Sequence, residues 1–282
     1  MIGRRVLSPK VSQAAAFALL WTSGAIVMLP VIAVVAVMVL LGARGLTWRF
    51  LTAASGGLLP AIAGTACLVV LTTLIAAPAG VAAAIYLSEY SRPGRAIRLI
   101  RLAIVNLAAI PSVVHGLFGL ALFVMLLGFG RSLLAGACTL ALLVLPLMIT
   151  ASEEALRQVP QRLRDGSLAL GGSRWQTVRR IVLPNALPGI ITGLILSVGR
   201  AAGETAPILF TAAAYSSTHP YPRSVFDQVL ALPYQLYVMA TEIPNVPAEA
   251  KWATALALVM VVLGFNAVAI VMRARLRAAR RW

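Results

Sequence analysis

Long apolar runs alternate along this chain with short polar segments that are mostly basic. Residues 11–43, 50–88, 102–130 and 132–152 carry no Asp, Glu, Lys or Arg, and two further apolar runs follow later in the chain. A membrane helix needs about 20 consecutive apolar residues, so each run can span a bilayer. The pattern predicts an all-α polytopic membrane protein, with a single transmembrane domain over 1–282. Its six expected transmembrane helices are 14–41, 60–87, 102–128, 132–151, 186–212 and 252–272.

A polar stretch over 153–184 separates the fourth and fifth predicted spans and predicts a helical hairpin. Gly171 and Gly172 interrupt its helical pattern, and Ser173 with Gln176 has the spacing of a capping box that starts a second helix. Apolar residues recur every three or four positions on that helix and predict one apolar face, formed by Trp175, Val178 and Val182. A basic hairpin between two spans is typical of a segment that docks on a protein outside the lipid.

Basic residues are distributed unequally between the two sides of the predicted bundle. The N-terminus holds three Lys or Arg, the 89–101 loop four, the hairpin six and the C-terminal tail five, which gives 18 on one side and five on the other. Because cytoplasmic segments carry the excess, we expect the hairpin and both termini in the cytoplasm of a bacterial cell. The aromatic, proline-rich loop over 214–251 is then extracytoplasmic. The first run is too long for the apolar region of a signal peptide, so we expect an uncleaved span.

Composition changes this interpretation little. The chain has 282 residues, of which 60% are hydrophobic, and its mean hydropathy is +0.92. A net charge of +16 could indicate nucleic-acid binding, but the basic residues flank apolar runs and do not form one patch, which favours a membrane protein. Cys67 and Cys138 lie inside apolar runs and are most simply packing residues.

The chain lacks the sequence motifs of an enzyme or a metal site. Its two lysines, Lys10 and Lys251, do not close a phosphate-binding loop, so any ATP must be bound by a separate subunit. His115 and His219 have no second histidine or cysteine at ligand spacing, and for His115 we favour a buried, hydrogen-bonded imidazole. No nucleophile elbow or paired carboxylates are present. We predict a chain with no catalytic residue, metal or cofactor of its own.

One arginine stands inside a predicted span. Arg200 and Glu204 are four residues apart in the fifth span and are expected to share one helix face. A charge deep in a bilayer costs at least about 2.5 kcal/mol, so Arg200 should face a bundle interior or an aqueous path. Two interpretations stay open. The pair either locks the bundle, or it forms a substrate pathway with Thr205 in which the guanidinium binds a passing anion.

The hairpin resembles the coupling segment of ABC-importer permeases, Glu-Ala-Ala-x3-Gly-x9-Ile-x-Leu-Pro. Four positions match it in register: Gly171, Ile181, Leu183 and Pro184. Three replace Glu-Ala-Ala: Asp165, Gly166 and Ser167. The resemblance implies the type I ABC-importer permease fold and a hairpin, including Trp175, that docks on an ATPase subunit. Glycine at 166 costs a helix about 1 kcal/mol relative to alanine.

The stretch 200–211, Arg-Ala-Ala-Gly-Glu-Thr-Ala-Pro-Ile-Leu-Phe-Thr, narrows the resemblance to phosphate-importer permeases of the PstA type. The similarity extends from about residue 60 to 270. It implies an ATP-driven importer of inorganic phosphate with three kinds of partner: a second, PstC-like permease, a PstB-like ATPase homodimer that binds ATP and Mg, and an extracytoplasmic PstS-like phosphate-binding protein. A sulfate- or molybdate-type permease of the same superfamily, and a membrane enzyme or passive channel, remain alternatives.

Overall fold

The computed structural model describes residues 9–53, 56–215 and 220–278, and nearly all of the secondary structure in these ranges is helical. Twelve α-helices follow one another in these ranges, three of which continue into a π-helical turn. Their bounds are α1 Pro9–Gly45, α2 Trp48–Thr52, α3 Leu59–Ile85, α4 Arg95–Ala109, α5 Ser112–Gly119, α6 Leu133–Arg157, α7 Gln161–Ala169, α8 Arg174–Thr177, α9 Leu183–Gly203, α10 Ala206–Thr211, α11 Leu232–Thr241 and α12 Ala248–Ala278. The π-helical turns are Tyr86–Tyr90, Leu120–Leu126 and Val178–Val182.

Five continuous helices in the described ranges are long and apolar enough to cross a membrane. They are Gln13–Gly45, Leu59–Tyr90, Leu133–Arg157, Arg174–Gly203 and Ala248–Arg275. The pair α4 and α5, with its π-helical turn, makes a sixth if the two helices are counted as one broken span. The predicted class, an all-α polytopic membrane protein, is confirmed.

The third predicted span, 102–128, is not one straight helix. α4 and the helix that begins at Ser112 meet at an angle of 102°. Ile110 is extended there, with ψ at 133°. Pro111 causes this break, because its ring disfavours a helical conformation at the preceding residue and it has no backbone N–H to donate.

The fifth predicted span, 186–212, also differs from the structure at both ends. Its helix begins at Arg174, runs unbroken through Pro184 and Pro188, and ends at Gly203. Glu204 is extended, with ψ at 134°, and a separate short helix, α10, follows. Pro207 explains the end of the longer helix. Continuation would require an N–H from residue 207 to the Gly203 carbonyl, and the proline ring would collide with that carbonyl.

The centre of the bundle consists of α3, α6 and α9. A Cβ atom added at Gly189 would lie 2.5 Å from the Cβ of Ala155, and one added at Gly193 would lie 2.6 Å from the Cβ of Ala151. Small residues four apart on α9 therefore let its backbone approach α6 closely, which is how membrane helices maximise packing without a hydrophobic driving force. Outside this centre, α12 packs against α9, and α1 packs against α12.

The direction of these helices defines two sides of the bundle. α12 runs antiparallel to α9, since Ala269 packs with Ile191 near the start of α9 and Asn266 lies beside Gly199 near its end. α1 ends where α12 begins, with Gly45 against the Glu249 carbonyl. The start of α1 and the end of α12 therefore lie on the same side as the hairpin. We call this the hairpin side and the opposite one the loop side.

Candidate functional site

The end of α9 places an ion pair at a helix break. Arg200 lies in the last turn of α9, and its Nε is 3.5 Å from Oε1 of Glu204. The two side chains are brought together as expected, but not on one helix face, because Glu204 lies beyond the helix end in an extended conformation. The distance exceeds the 2.7–2.9 Å that is usual for a charge-assisted N–H···O bond. The pair is therefore weakly bonded.

The Arg200 guanidinium keeps most of its hydrogen-bonding capacity. Its side chain is 37% exposed and that of Glu204 is 18% exposed. Within the described ranges no other acceptor bonds the guanidinium, whereas the group has five N–H donors. Beside it, a Cβ atom added at Gly203 would meet nothing within 4 Å. The described part of the chain thus leaves one face of this helix end uncovered, with room for an anion or a second protein.

The opposite face of the same helix end is firmly packed. Ala201 is buried in a cluster with Ala76 of α3, and Ala202 in another with Val69 of α3. A Cβ atom added at Gly199 would lie 3.3 Å from the Asn266 side chain of α12. The backbone around Arg200 is therefore held by α3 and α12 while the guanidinium remains accessible.

The helices that follow the two breaks pack against each other. A Cβ atom added at Gly116 of α5 would lie 3.0 Å from the Ala206 carbonyl and 2.8 Å from the Phe210 ring of α10. Thr205, the third predicted pathway residue, precedes α10, and its backbone carbonyl accepts from the N–H of Leu209 at 3.1 Å. Its hydroxyl does not cap the helix. Thr205 therefore lies between the ion pair and the contact of α5 with α10.

His115, in the first turn of α5, is buried as expected. Its Nδ1 lies 3.4 Å from the Pro111 carbonyl, while Nε2 has no partner among the described residues. His219 lies outside the described residues. No group of three His, Cys, Asp or Glu side chains with metal-binding geometry occurs in residues 9–53, 56–215 and 220–278.

The hairpin consists of two helical limbs joined by a tight turn. The first limb is α7, and the second is α8 with the π-helical turn that continues it. Gly171 has φ at +84°, the left-handed region that favours glycine, so the turn requires this residue. Both bonds of the predicted capping box are present, between Ser173 and Gln176, at 2.8 and 3.2 Å. The Ser167 and Thr177 hydroxyls are 2.9 Å apart and connect the limbs. Serine at this position of the motif therefore adds a contact that alanine cannot make.

The remaining predicted coupling residues divide into surface and anchor positions. Asp165 is exposed and accepts a hydrogen bond from Gln161 at 3.0 Å, and Gly166 is open to solvent. Ile181 lines a cleft of about 420 Å³ between the limbs. Leu183 and Pro184 belong to the start of α9, where Leu183 packs against a buried cluster. These last two residues join the hairpin to the bundle.

The apolar face predicted on the second limb is divided between the bundle and the surface. Val178 and Val182 are buried, but Trp175 is 58% exposed. Trp175 stands in the first turn of α8, beyond the reach of the bundle, so no described element covers it. Exposed apolar and basic residues lie near it at the hairpin tip: Leu168, Leu170, Arg174, Arg179 and Arg180. This set, with Trp175, is the hairpin surface.

Sequence reasoning missed the residues that fix the hairpin to the bundle. Arg164 of α7 donates from Nε and Nη2 to the two carboxylate oxygens of Glu89, at 3.1 and 2.8 Å. It also donates to the carbonyls of Val159 and Leu156, at 2.6 and 2.8 Å. The only signal for this pair was Glu89 itself, the one acidic residue before residue 153. Its partner is 75 residues away and could not be read from spacing.

A second carboxylate lies close to the Arg164–Glu89 pair. Glu153 of α6 is buried and forms ion pairs with Arg101 of α4 and, at 2.7 Å, with Arg157. Arg101 also donates to the Leu87 carbonyl at 3.2 Å. The hairpin-side ends of α3, α4, α6 and α7 are thus connected through two glutamates and three arginines. Two of these groups, Glu89 and Arg101, belong to the 89–101 loop, which we expected only to set orientation.

The loop side is capped by the segment between α10 and α11. Backbone N–H groups at the start of α6 donate to carbonyls of the loop: Leu133 to Asp227, and Leu134 to Val225, both at 2.8 Å. The loop thereby satisfies donors that the first turn of a helix leaves free. Burial raises the pKa of Tyr234 on α11, with a smaller contribution of the same sign from Glu242. The loop is an ordered cap in its described part.

The fold agrees with the comparison to known proteins. Residues 76–282 match the family described as "binding-protein-dependent transport system inner membrane component". The chain belongs to this family. It is 36% identical over 243 residues to the probable ABC transporter permease YqgI of Bacillus subtilis (strain 168), with 80% of this chain and 82% of that protein covered.

Further relatives of this transport component include phosphate permeases. The chain is 40% identical over 220 residues to the phosphate transport system permease protein PstA 1 of Mycobacterium tuberculosis (strain CDC 1551 / Oshkosh), covering 78% of this chain and 71% of that protein. A chain of the bacterial alginate ABC transporter, solved with a periplasmic protein bound to alginate pentasaccharide, superposes with a TM-score of 0.71 over 96% of this chain and 98% of that one. At 13% identity this likeness shows the fold. The expected type I ABC-importer permease fold is confirmed.

Proposed function

We propose that this chain is the permease subunit of an ATP-driven importer of inorganic phosphate and that it lines the translocation path together with a second permease. The observation that carries the proposal is the guanidinium of Arg200. It stands at a helix break with one weak ion-pair contact, in a chain related to phosphate permeases.

The chemistry of this helix break suits a phosphate ion in transit. An anion that leaves water for a low-dielectric path needs compensating charge and donors, and Arg200 supplies both. Glu204 lies close enough to reduce the net positive charge, so that the anion is not held too tightly to leave. Thr205 contributes a hydroxyl that does not cap α10. A second permease facing the open side at Gly203 would complete the path with a basic group of its own.

The hairpin surface suits a docking role on an ATPase. Its exposed Trp175 and Leu170 give an apolar contact, and the surrounding arginines give a basic rim. Because the chain has no phosphate-binding loop, ATP and Mg belong to that partner, a PstB-like homodimer. Together with the unequal count of basic residues, this supports a cytoplasmic position for the hairpin side and both termini.

The loop side then meets the extracytoplasmic phosphate-binding protein, a PstS-like partner. The ordered cap exposes aromatic side chains that are typical of protein contacts: Tyr215, Tyr221, Phe226 and Tyr237. Cysteine labelling from outside the cell tests this orientation. Tyr221→Cys should react with an impermeant reagent in intact cells, and Arg174→Cys should react only after the membrane is opened.

Transport by the complete complex in proteoliposomes tests the proposed function. The two permeases, the ATPase and the binding protein are reconstituted, and uptake of labelled phosphate is compared with that of sulfate and molybdate. We expect phosphate uptake that requires both ATP and the binding protein, with neither other oxyanion transported. Uptake of sulfate or molybdate without phosphate would assign the chain to the alternative class of permease. Uptake without ATP would indicate a passive channel.

A further inference from the structure

We propose that the Arg164–Glu89 ion pair is a positioning contact that makes the hairpin move α3 together with α9, so that movement of the ATPase reaches the Arg200 segment along two helices. This inference rests on the proposed function. Arg164 and Glu89 are assigned here as positioning residues that do not touch the transported ion.

The geometry of the Arg164–Glu89 pair is that of a fixed connection. Arg164 makes four hydrogen bonds of 2.6–3.1 Å, two of them to one carboxylate and two to backbone carbonyls at the end of α6. The side chains are only 12% and 11% exposed. A planar guanidinium held by a bidentate contact and two carbonyls cannot rotate freely, so α7 and the end of α3 share one position.

One path from the hairpin to Arg200 is covalent. The second limb continues without interruption from Arg174 to Gly203, a single helix of 30 residues. Displacement of α8 therefore displaces the helix that carries Arg200. This path involves no contact of the first limb.

The other path runs through α3. Glu89 stands at the end of a continuous helix, Leu59–Tyr90, of 32 residues. About 20 Å along it, at a rise of 1.5 Å per residue, Ala76 packs in one cluster with Ala201, and Val69 further on packs with Val198 and Ala202. α3 therefore supports the backbone on both sides of Arg200.

The first limb has little else to connect it to α3. No residue of α7 is buried, although Leu163 and Leu168 are apolar. Its contact with the second limb includes the Ser167–Thr177 hydroxyl pair. Without Arg164 and Glu89, the hairpin would act on α9 directly and on α3 only through the packing inside the bundle. Loss of the pair should therefore reduce transport more than ATP hydrolysis.

The test measures phosphate imported per ATP hydrolysed by the full reconstituted complex. Glu89→Gln removes the charge and keeps the shape, while Glu154→Gln makes the same change at an exposed glutamate of α6 that forms no ion pair with α7 in the described ranges. We expect the Glu89→Gln complex to assemble and to hydrolyse ATP. The phosphate imported per ATP hydrolysed should fall about fivefold or more, because the coupling between two sites typically begins at about that size. The Glu154→Gln complex should keep the wild-type ratio.

A reversible cross-link distinguishes positioning from a general loss of structure. Cys67 and Cys138 are replaced by alanine, Glu89→Cys and Arg164→Cys are introduced, and a short thiol-cleavable bifunctional reagent bridges them before the complex is purified. The bridged complex should have a ratio close to wild type, and reduction after reconstitution should lower it in the same vesicles. Since both ratios are measured on the same reconstituted complex, a difference between them does not come from a defect in folding or assembly.

The outcomes separate this inference from the proposed function. If the wild-type complex imports phosphate and Glu89→Gln keeps its ratio, or if reduction of the bridge leaves the ratio unchanged, the positioning role is wrong and the proposed function stands. If the wild-type complex imports no phosphate in the presence of ATP, the proposed function itself fails.

Discussion

Arg164 and Arg200 each form an ion pair with a glutamate, and the two surroundings differ in what they leave unbonded. Arg164 is 12% exposed and uses its guanidinium for four hydrogen bonds, all to fixed groups of the chain. Arg200 is 37% exposed and has a single contact, at 3.5 Å. The first arginine has its donors committed to structure. The second has them available to a ligand.

The difference follows from the backbone around each pair. Arg164 lies in the first turn of α7, close to the end of α6, where the carbonyls of Leu156 and Val159 accept its N–H groups. Arg200 lies where a helix stops at Gly203 and the chain turns away; no carbonyl of the described residues bonds its guanidinium, and the Glu204 carboxylate is at the edge of its reach. A fully bonded pair fixes geometry, and a partly bonded pair at an open helix end can exchange partners.

The largest effect should come from neutralising the partly bonded arginine. Arg200→Gln removes the charge that compensates the anion, so phosphate uptake by the reconstituted complex should fall to background, with assembly on the ATPase unchanged. Arg200→Lys keeps the charge but loses the planar fork, and partial uptake is expected. Uptake of labelled phosphate, normalised to assembled complex, measures both. Wild-type uptake by Arg200→Gln would remove Arg200 from the path.

A strong effect on coupling is expected at the turn of the hairpin. Gly171→Val forces a β-branched residue to φ near +84°, at a cost of about 1–3 kcal/mol, and should displace the hairpin surface. Membrane insertion and abundance should stay normal while ATP hydrolysis stimulated by transport is lost. A valine variant that couples fully would show that the hairpin turn is not part of the docking geometry.

The smallest effect is expected at the glycine that departs from the coupling motif. A Cβ atom at Gly166 meets nothing within 4 Å in the described ranges, so Gly166→Ala can stabilise α7 by up to about 1 kcal/mol without a collision. Hydrogen exchange of the amides in 161–169 should slow by up to about fivefold. Faster exchange would mean that Gly166 is needed for a backbone shape that alanine cannot adopt.

The sequence predicted the fold class because apolar runs of membrane length leave few alternatives. It did not predict the breaks in the third and fifth spans, although Pro111 and Pro207 cause them. The residues after each break are as apolar as those before it, so the hydropathy pattern continues while the helix does not. The chain changes direction at each break because of a single proline, and hydropathy averaged over the length of a span does not detect it.

The candidate site was predicted where neighbouring residues in the chain form it. Arg200 is four residues from Glu204, and Ser173 is three residues from Gln176. Each of these pairs was therefore predicted from its spacing alone. The Arg164–Glu89 pair joins residues 75 apart and depends on how α3 packs beside the hairpin. Trp175 was expected to share an apolar face with Val178 and Val182, and only the two valines are covered by the bundle. Helical spacing predicts which residues share a face but not how far the bundle extends to cover it.

The most direct test of the central claim, that Arg200 is kept available for the transported anion, is uptake of labelled phosphate by the double variant Arg200→Gln with Glu204→Gln. Uptake is normalised to complex assembled with the ATPase and compared with Arg200→Gln alone. If Arg200 binds phosphate on the path, the double variant assembles and transports no better than the single variant. If the pair only locks the bundle, removing both charges restores normal transport, and that result would contradict this account.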